Sequence, residues 1–184
     1  MLRHASRRII AGSIALRWID VRPATLADLG TIRNIYNDGV EDRIATLDTA
    51  PKTVAEITEW WSEHDERFIV IIAIDEADKM LGWASLNRFS HRCAHDAIAD
   101  LSVYVARSDR GRGVGTALLG ALDIIAKARG FHKIVLHALN RNEPGKRLYQ
   151  SSGFSVVGIF KDHGIIDGQY ADVIAMEKIL GASE

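Results

Sequence analysis

Apolar positions along the chain recur with two different periods. Ile19-Asp20-Val21-Arg22 alternates and is closed by Pro23, which predicts a first strand. Leu26, Leu29, Ile32 and Ile35 then fall at helical spacing behind a Thr25/Asp28 capping box, with Gly39 as the expected stop. A second box, Thr53 with Glu56, opens a helix through Ile57, Trp60 and Trp61. Phe68 to Ile74 is a continuous apolar run that predicts a buried strand, and a polar turn separates it from a second strand over Met80 to Phe89. Leu101 to Val105 is β-branched and aromatic and predicts another. Val114, Leu118, Leu122 and Ile125 then make one helical face, with Gly130 as the C-cap. The remaining pattern is a strand over Lys133 to Leu139, a short helix over Glu143 to Ser152 ended by Gly153, and strands over Phe154 to Ile159 and Tyr170 to Ile179. The order β-α-α-β-β-β-α-β-α-β-β predicts an α/β fold, a single mixed and mostly antiparallel central sheet with helices on both faces.

Composition narrows the function classes. At 184 residues with 47% hydrophobic and 26% charged residues, the chain has the profile of one globular domain. Its 23 Lys and Arg nearly cancel 24 Asp and Glu, so no nucleic-acid or membrane partner is expected. The lone Cys93 cannot form an internal disulfide, and no apolar run approaches the ~20 residues that cross a bilayer. A cytoplasmic location is the expectation. Residues 1–18 are basic and irregular and read as an extension ahead of a domain over 19–184, an Arg-rich presequence being the alternative.

The chemistry begins at Arg110-Gly111-Arg112-Gly113-Val114-Gly115, between a strand and a helix. Alternating glycines let backbone N–H groups converge at a helix N-terminus, where free donors and the helix dipole attract anions. Arg110 and Arg112 add charge suited to phosphate oxygens. The dinucleotide fingerprint fails because its third glycine would fall at Thr116, and no P-loop is present. What remains is Arg/Gln-x-x-Gly-x-Gly/Ala, met by Arg110, Gly113 and Gly115.

From Ser102-Val103-Tyr104-Val105 through this loop the sequence resembles the acetyl-CoA-binding motif of the GNAT superfamily of N-acetyltransferases. Asn142, Arg147-Leu148-Tyr149 and Gly153-Phe154 match that family's next motif in order and spacing. Within the superfamily the chain looks most like the phosphinothricin acetyltransferase group, through Ile35-Tyr36-Asn37, Ala45-Thr46-Leu47-Asp48-Thr49, Gly82-Trp83-Ala84, Phe89 and Arg92. The resemblance implies a GNAT fold, acetyl-CoA as co-substrate, acetyl transfer to the primary amine of a small amino acid or analogue by direct attack, and a homodimer. It implies that Val103, Tyr104, Val105, Gly111, Arg112, Gly113, Val114, Gly115, Thr116 and Asn142 join Arg110 in holding the co-substrate. Tyr149 falls where many members keep a tyrosine that protonates the leaving thiolate. Asp100 falls where the group keeps a glutamate base, and is shorter by one methylene, ~1.5 Å of reach. Arg92 and Leu47 fall at positions implied to face the acceptor.

Other clusters carry less. His91, Cys93, His95 and Asp96 share a loop, but their spacing fits no zinc pattern and no metal is expected. His137, in an apolar strand, reads as a core or pocket-wall residue, His163 as a loop residue, and Trp60 with Trp61 as helix packing or a subunit contact. Two other readings stand beside the main one: a GNAT acting on another amine (polyamine, aminoglycoside or protein N-terminus), and a non-catalytic acetyl-CoA-binding module.

Overall fold

The computed structural model describes residues 8, 9 and 18–181, and within them the runs join into one mixed sheet. Among the described residues it has eight strands: β1 Arg8–Ile9, β2 Trp18–Pro23, β3 Val70–Ile74, β4 Met80–Arg88, β5 Ile98–Val105, β6 Lys133–Leu139, β7 Ser155–Ile166 and β8 Gln169–Ile179. Their order is β1-β2-β3-β4-β5-β6-β8-β7, and only the β5–β6 pair is parallel. Of the basic segment 1–18, all but Arg8, Ile9 and Trp18 lies outside the described residues. Arg8 pairs with Ile19, and Trp18 opens β2.

Helices α1 Leu29–Glu41 and α2 Val54–Ser62 cover one face, and α3 Val114–Ala128 and α4 Glu143–Ser151 cover the other. β3 is buried along its whole length because it feeds both cores: Val70, Ile72 and Ile74 pack with Leu29, Ile32, Ile35 and Ile57, while Ile71 and Ala73 pack with Leu118 and Leu122. That double burial is why its sequence is an unbroken apolar run rather than an alternating one. Both capping boxes form, with Thr25 N–H donating to Asp28 at 2.7 Å and Thr53 N–H donating to Glu56 at 2.8 Å.

Gly39 does not stop α1, which runs on to Glu41. A Cβ at Gly39 would lie 3.1 Å from Ala45 Cβ and 3.4 Å from the Tyr104 ring, so the glycine serves close approach, not termination. β7 also outruns its predicted end. A register irregularity between Phe160 and Gly164, with Asp162 at φ 51°, interrupts the alternation without ending the strand. His163 therefore belongs to β7, its ring stacked on Phe160 at 4.7 Å, and not to a loop.

Candidate active site

The β5–β6 ladder pairs only Ile98, Ala99 and Asp100 with Lys133, Ile134 and Val135. Beyond Asp100 the two parallel strands part, while β5 stays bonded to β4 as far as Val105. The parting opens a cleft of about 830 Å³ whose wall includes Val103, Tyr104, Val105, Asn142 and Tyr149. Arg110, Gly111, Gly113, Val114, Gly115 and Thr116 close one end of it.

The glycine loop has the backbone its sequence predicts. Gly111 and Gly113 have φ of 73° and 81°, in the left-handed region that side chains avoid, and Gly113 is the residue from which α3 starts. The free N–H groups of the first α3 turn therefore sit at the cleft. Gly115 lets α4 close against α3, since a Cβ there would come within 2.6 Å of Leu148 Cδ2.

The arginines of the loop are tied to acids. Arg110 donates to Asp42 at 2.5 Å, which fastens the loop to the end of α1 together with Arg107 at 2.9 Å. Burial would raise the Asp42 carboxyl, but hydrogen bonds from Arg107 and Arg110 outweigh it and hold it below the usual value. Arg112 turns to Asp109 at 3.0 Å and is not part of the cleft wall. Asp109 itself is 1% exposed and also receives Lys79 Nζ at 2.8 Å and Ser108 Oγ at 2.7 Å. Burial pushes its carboxyl up, yet the bonds from Lys79 and Ser108 bring it below the ordinary value.

Asp100 projects from β5 on the face of α1 and α2, as do Ser102 and Tyr104. Its Oδ2 accepts from Asn87 Nδ2 at 3.3 Å and its Oδ1 lies 3.8 Å from His137 Nδ1. The Asp100 carboxylate beside it raises His137 above 6.5 against the opposing effect of burial. His137 is 45% exposed at its side chain, so it is neither a core residue nor a cleft-wall residue but the neighbour of the carboxylate. Asn87 also donates to Ser102 Oγ at 3.0 Å and accepts from the buried Ser85 at 2.8 Å. His64 reaches Asn87 Oδ1 at 3.0 Å through Nε2 and the Trp60 carbonyl at 2.8 Å through Nδ1. The sequence reading missed Ser85, Asn87 and His64. Ser85 and Asn87, two polar residues at alternate positions of an otherwise buried strand, were the available signal.

Across the cleft, Tyr149 is 9% exposed and packs edge-on against Phe154. Burial, and after it the Asp100 charge, pushes its phenol up to about 12. At neutral pH this hydroxyl stays protonated and has a proton to donate. Asn142 caps α4 by accepting from Gly145 N–H at 3.0 Å and lines the cleft.

The two remaining predicted residues stand apart. Arg92 is exposed beside the short 3₁₀ turn Cys93–His95 and does not line the cleft. Leu47 is 40% exposed, and a Cβ on Gly164 would come within 2.7 Å of its Cδ2, so it joins the α1–α2 loop to β7. Among the described residues no group of His, Cys, Asp and Glu converges as a metal site, and no helix is long and apolar enough to cross a membrane.

Residues 21–175 match the acetyltransferase (GNAT) domain family. A phosphinothricin N-acetyltransferase of Streptomyces coelicolor is 31% identical over 165 residues, 88% of this chain and 96% of that protein. An L-methionine sulfoximine/L-methionine sulfone acetyltransferase of Pseudomonas aeruginosa is 30% identical over 158 residues, 85% of this chain and 92% of its own length. Among solved structures, a GNAT superfamily phosphinothricin acetyltransferase from Sinorhizobium meliloti in complex with acetyl-CoA superposes with a TM-score of 0.83 at 28% identity, covering 89% of each chain.

Proposed function

The chain belongs to the GNAT acetyltransferase family, an enzyme using acetyl-CoA as co-substrate, and from that premise we propose that its acceptor is the primary amine of a small amino acid or analogue of the phosphinothricin and methionine sulfoximine kind. The observation that carries the proposal is the parting of β5 from β6 just beyond the Asp100 carboxylate, which opens a cleft with the glycine loop at one end and the Tyr149 phenol on its wall. The acceptor class rests on the names of the relatives.

The residues fit the co-substrate. The first α3 turn behind Gly113 offers N–H groups to a pyrophosphate, and the β5 edge over Val103 to Val105 offers backbone groups to an amide-bearing arm. Asn142 lines the same channel through its cap position. Acetyl-CoA supplies the activated acetyl thioester when bound.

A protonated amine cannot attack a carbonyl, so a base has to take its proton. Asp100 does this in our reading, directly or through a water, held in place by Asn87 and flanked by His137. Tyr149 lines the same cleft and would stand beside the departing sulfur. Full proton transfer from a phenol at about 12 to a thiolate near ~8.5 runs uphill. Its contribution is a hydrogen bond that strengthens as charge grows on sulfur. Arg92 and Leu47 remain candidates for the outer acceptor face. The exposed Val157, Ile159, Phe160 and Ile165 of β7, at the end of the sheet, support a homodimer in which a second copy covers that edge. Residues 19–184 form the catalytic domain in this proposal.

Thiol release from acetyl-CoA with a panel of amines tests the reading. Saturable release with phosphinothricin and methionine sulfoximine is expected. Release confined to a polyamine or a peptide N-terminus overturns the acceptor while leaving the family untouched. Light scattering of the purified chain reads the dimer, and a monomer mass at micromolar concentration removes it.

A further inference from the structure

On the far side of Tyr104 from the cleft lies a second cavity, of about 400 Å³, between α2 and strands β4 and β5. Its wall is aromatic. Trp83 stacks on Tyr104 at 4.8 Å, Trp60 meets Trp83 at 5.3 Å and 60°, and Tyr36 packs on Tyr104 at 4.9 Å. Its rim is acidic. Glu56, Glu59 and Glu63 share one face of α2 and its C-cap, at spacings of three and four residues. Lys52 is the basic residue of the lining, and it is occupied by Asp48 at 2.9 Å and Glu56 at 4.0 Å. Glu59 and Glu63 form no ion pair among the described residues.

Aromatic faces carry negative potential and attract cations, ammonium groups above all when carboxylates stand beside the rings. We propose that this cavity binds a small organic cation, an alkylammonium group, with the indoles of Trp60 and Trp83 as its wall and Glu59 and Glu63 as its counter-charges. The cation is either a second ammonium group of the acceptor or a separate amine. Both present the same chemistry to the site, and Tyr104, common to the cavity and the cleft, brings either one next to the co-substrate channel. The site does not depend on which amine accepts the acetyl group.

Binding tests it directly, because two tryptophans line the cavity and report on it. The full chain is titrated with 1,4-diaminobutane and with tetramethylammonium, followed by tryptophan fluorescence and calorimetry, with 1,4-butanediol as the uncharged control. Saturable binding of both cations and none of the diol is expected. The double substitution Glu59→Gln with Glu63→Gln weakens it by about tenfold, the worth of two partly solvated charges. Trp60→Leu weakens it similarly, and all variants keep their acetyl-CoA affinity. No saturable binding of either cation, or equal binding by the diol or by the double variant, overturns the proposal. Mass spectrometry then separates the two sources. A monoacetylated diamine, formed with a raised KM in the double variant, assigns the cavity to the acceptor's second charge. Unmodified diamine that changes the rate on another amine assigns it to a separate ligand. Failure of acetyl transfer with every amine would strike the proposed acceptor and leave the binding result standing.

Discussion

Replacing Asp109 with asparagine separates charge from shape at the root of the glycine loop. The carboxylate is 1% exposed and receives Lys79, Arg112 and Ser108 within 3.0 Å, but the side chains of Lys79 and Arg112 are 54% and 51% exposed. Breaking a buried pair costs 3–5 kcal/mol chiefly when it strands the partner's charge out of water, roughly the upper bound here. Lys79 and Arg112 can turn to solvent, so the loss reduces to weakened charged hydrogen bonds and an amide group facing donors, about 2 kcal/mol. For a chain of this size that is a fall in Tm of roughly 4–8 °C.

Two effects on acetyl-CoA binding oppose each other in the same variant. For a phosphate charge taken to lie ~7 Å away, removing the negative charge gains roughly 0.6 kcal/mol at the dielectric of water. Loosening even one or two loop residues costs about 1–2 kcal/mol each when binding has to order them again. Organisation outweighs charge, and the Kd for acetyl-CoA rises, by about tenfold or more if the loop loosens by two residues. Differential scanning fluorimetry and calorimetric titration read both numbers. The Asp109 carboxyl titrates below 3.8 in the folded chain, so its contribution is complete above that value and is lost as pH falls through the folded one. The Tm difference between wild type and variant should therefore be flat from pH 5 to 8, and shrink only in strong acid. An unchanged Tm with tighter binding would refute the view that this carboxylate organises the loop.

Three further outcomes follow from the geometry. Gly82 sits opposite Val105, and a Cβ there would meet the Tyr104 carbonyl at 2.7 Å. Gly82→Ala should thus cost about 1–3 kcal/mol and weaken acetyl-CoA binding by displacing β5, and a variant with wild-type Tm and Kd would contradict this. Asp100→Ala should lower kcat by roughly 10²–10⁴ with acetyl-CoA affinity retained, and near-normal turnover would remove the base assignment. His137 is raised above 6.5 by the neighbouring Asp100 carboxylate, so that contact contributes stability below pH 6.5 and loses it as pH rises through the folded value. An imidazolium there competes for the carboxylate that we propose receives the amine proton. The rate should rise as His137 deprotonates, and His137→Gln should abolish that limb of the pH profile; an identical profile would show His137 to be a bystander.

Much of the fold was legible because local rules and burial agreed. The Thr53/Glu56 box places the start of α2, and β6 occupies the predicted Lys133–Leu139 because its alternation faces one core. The ends of α1 and β7 were not legible. Gly39 breaks a helix only on propensity, and the close approach of Ala45 and Tyr104 overrides propensity. β7 is an exposed edge strand whose polar Lys161-Asp162-His163 sits in a bulge, so burial imposes no pattern there. The cleft was readable because loop and strand are neighbours in sequence. The surroundings of Asp100 were not, since Asn87, His64 and His137 arrive from three separate elements, and long-range packing leaves no local signature. Arg112 stands in the motif, yet only the burial of Asp109 decides where its guanidinium points.

The parting of β5 from β6 has a cost that the rest of the sheet avoids. Strand margins are sticky, and proteins ordinarily hide them at the periphery or blunt them with charge. Here one runs through the middle of the molecule, over Val103 to Val105, inside a cleft lined by the glycine loop and α4. A slender chain with its own amides is the shape that such a slot admits. If acetyl-CoA lies there as proposed, amide hydrogens along that margin exchange readily in the free protein and slow when it is added, the co-substrate serving during each turnover as a borrowed strand.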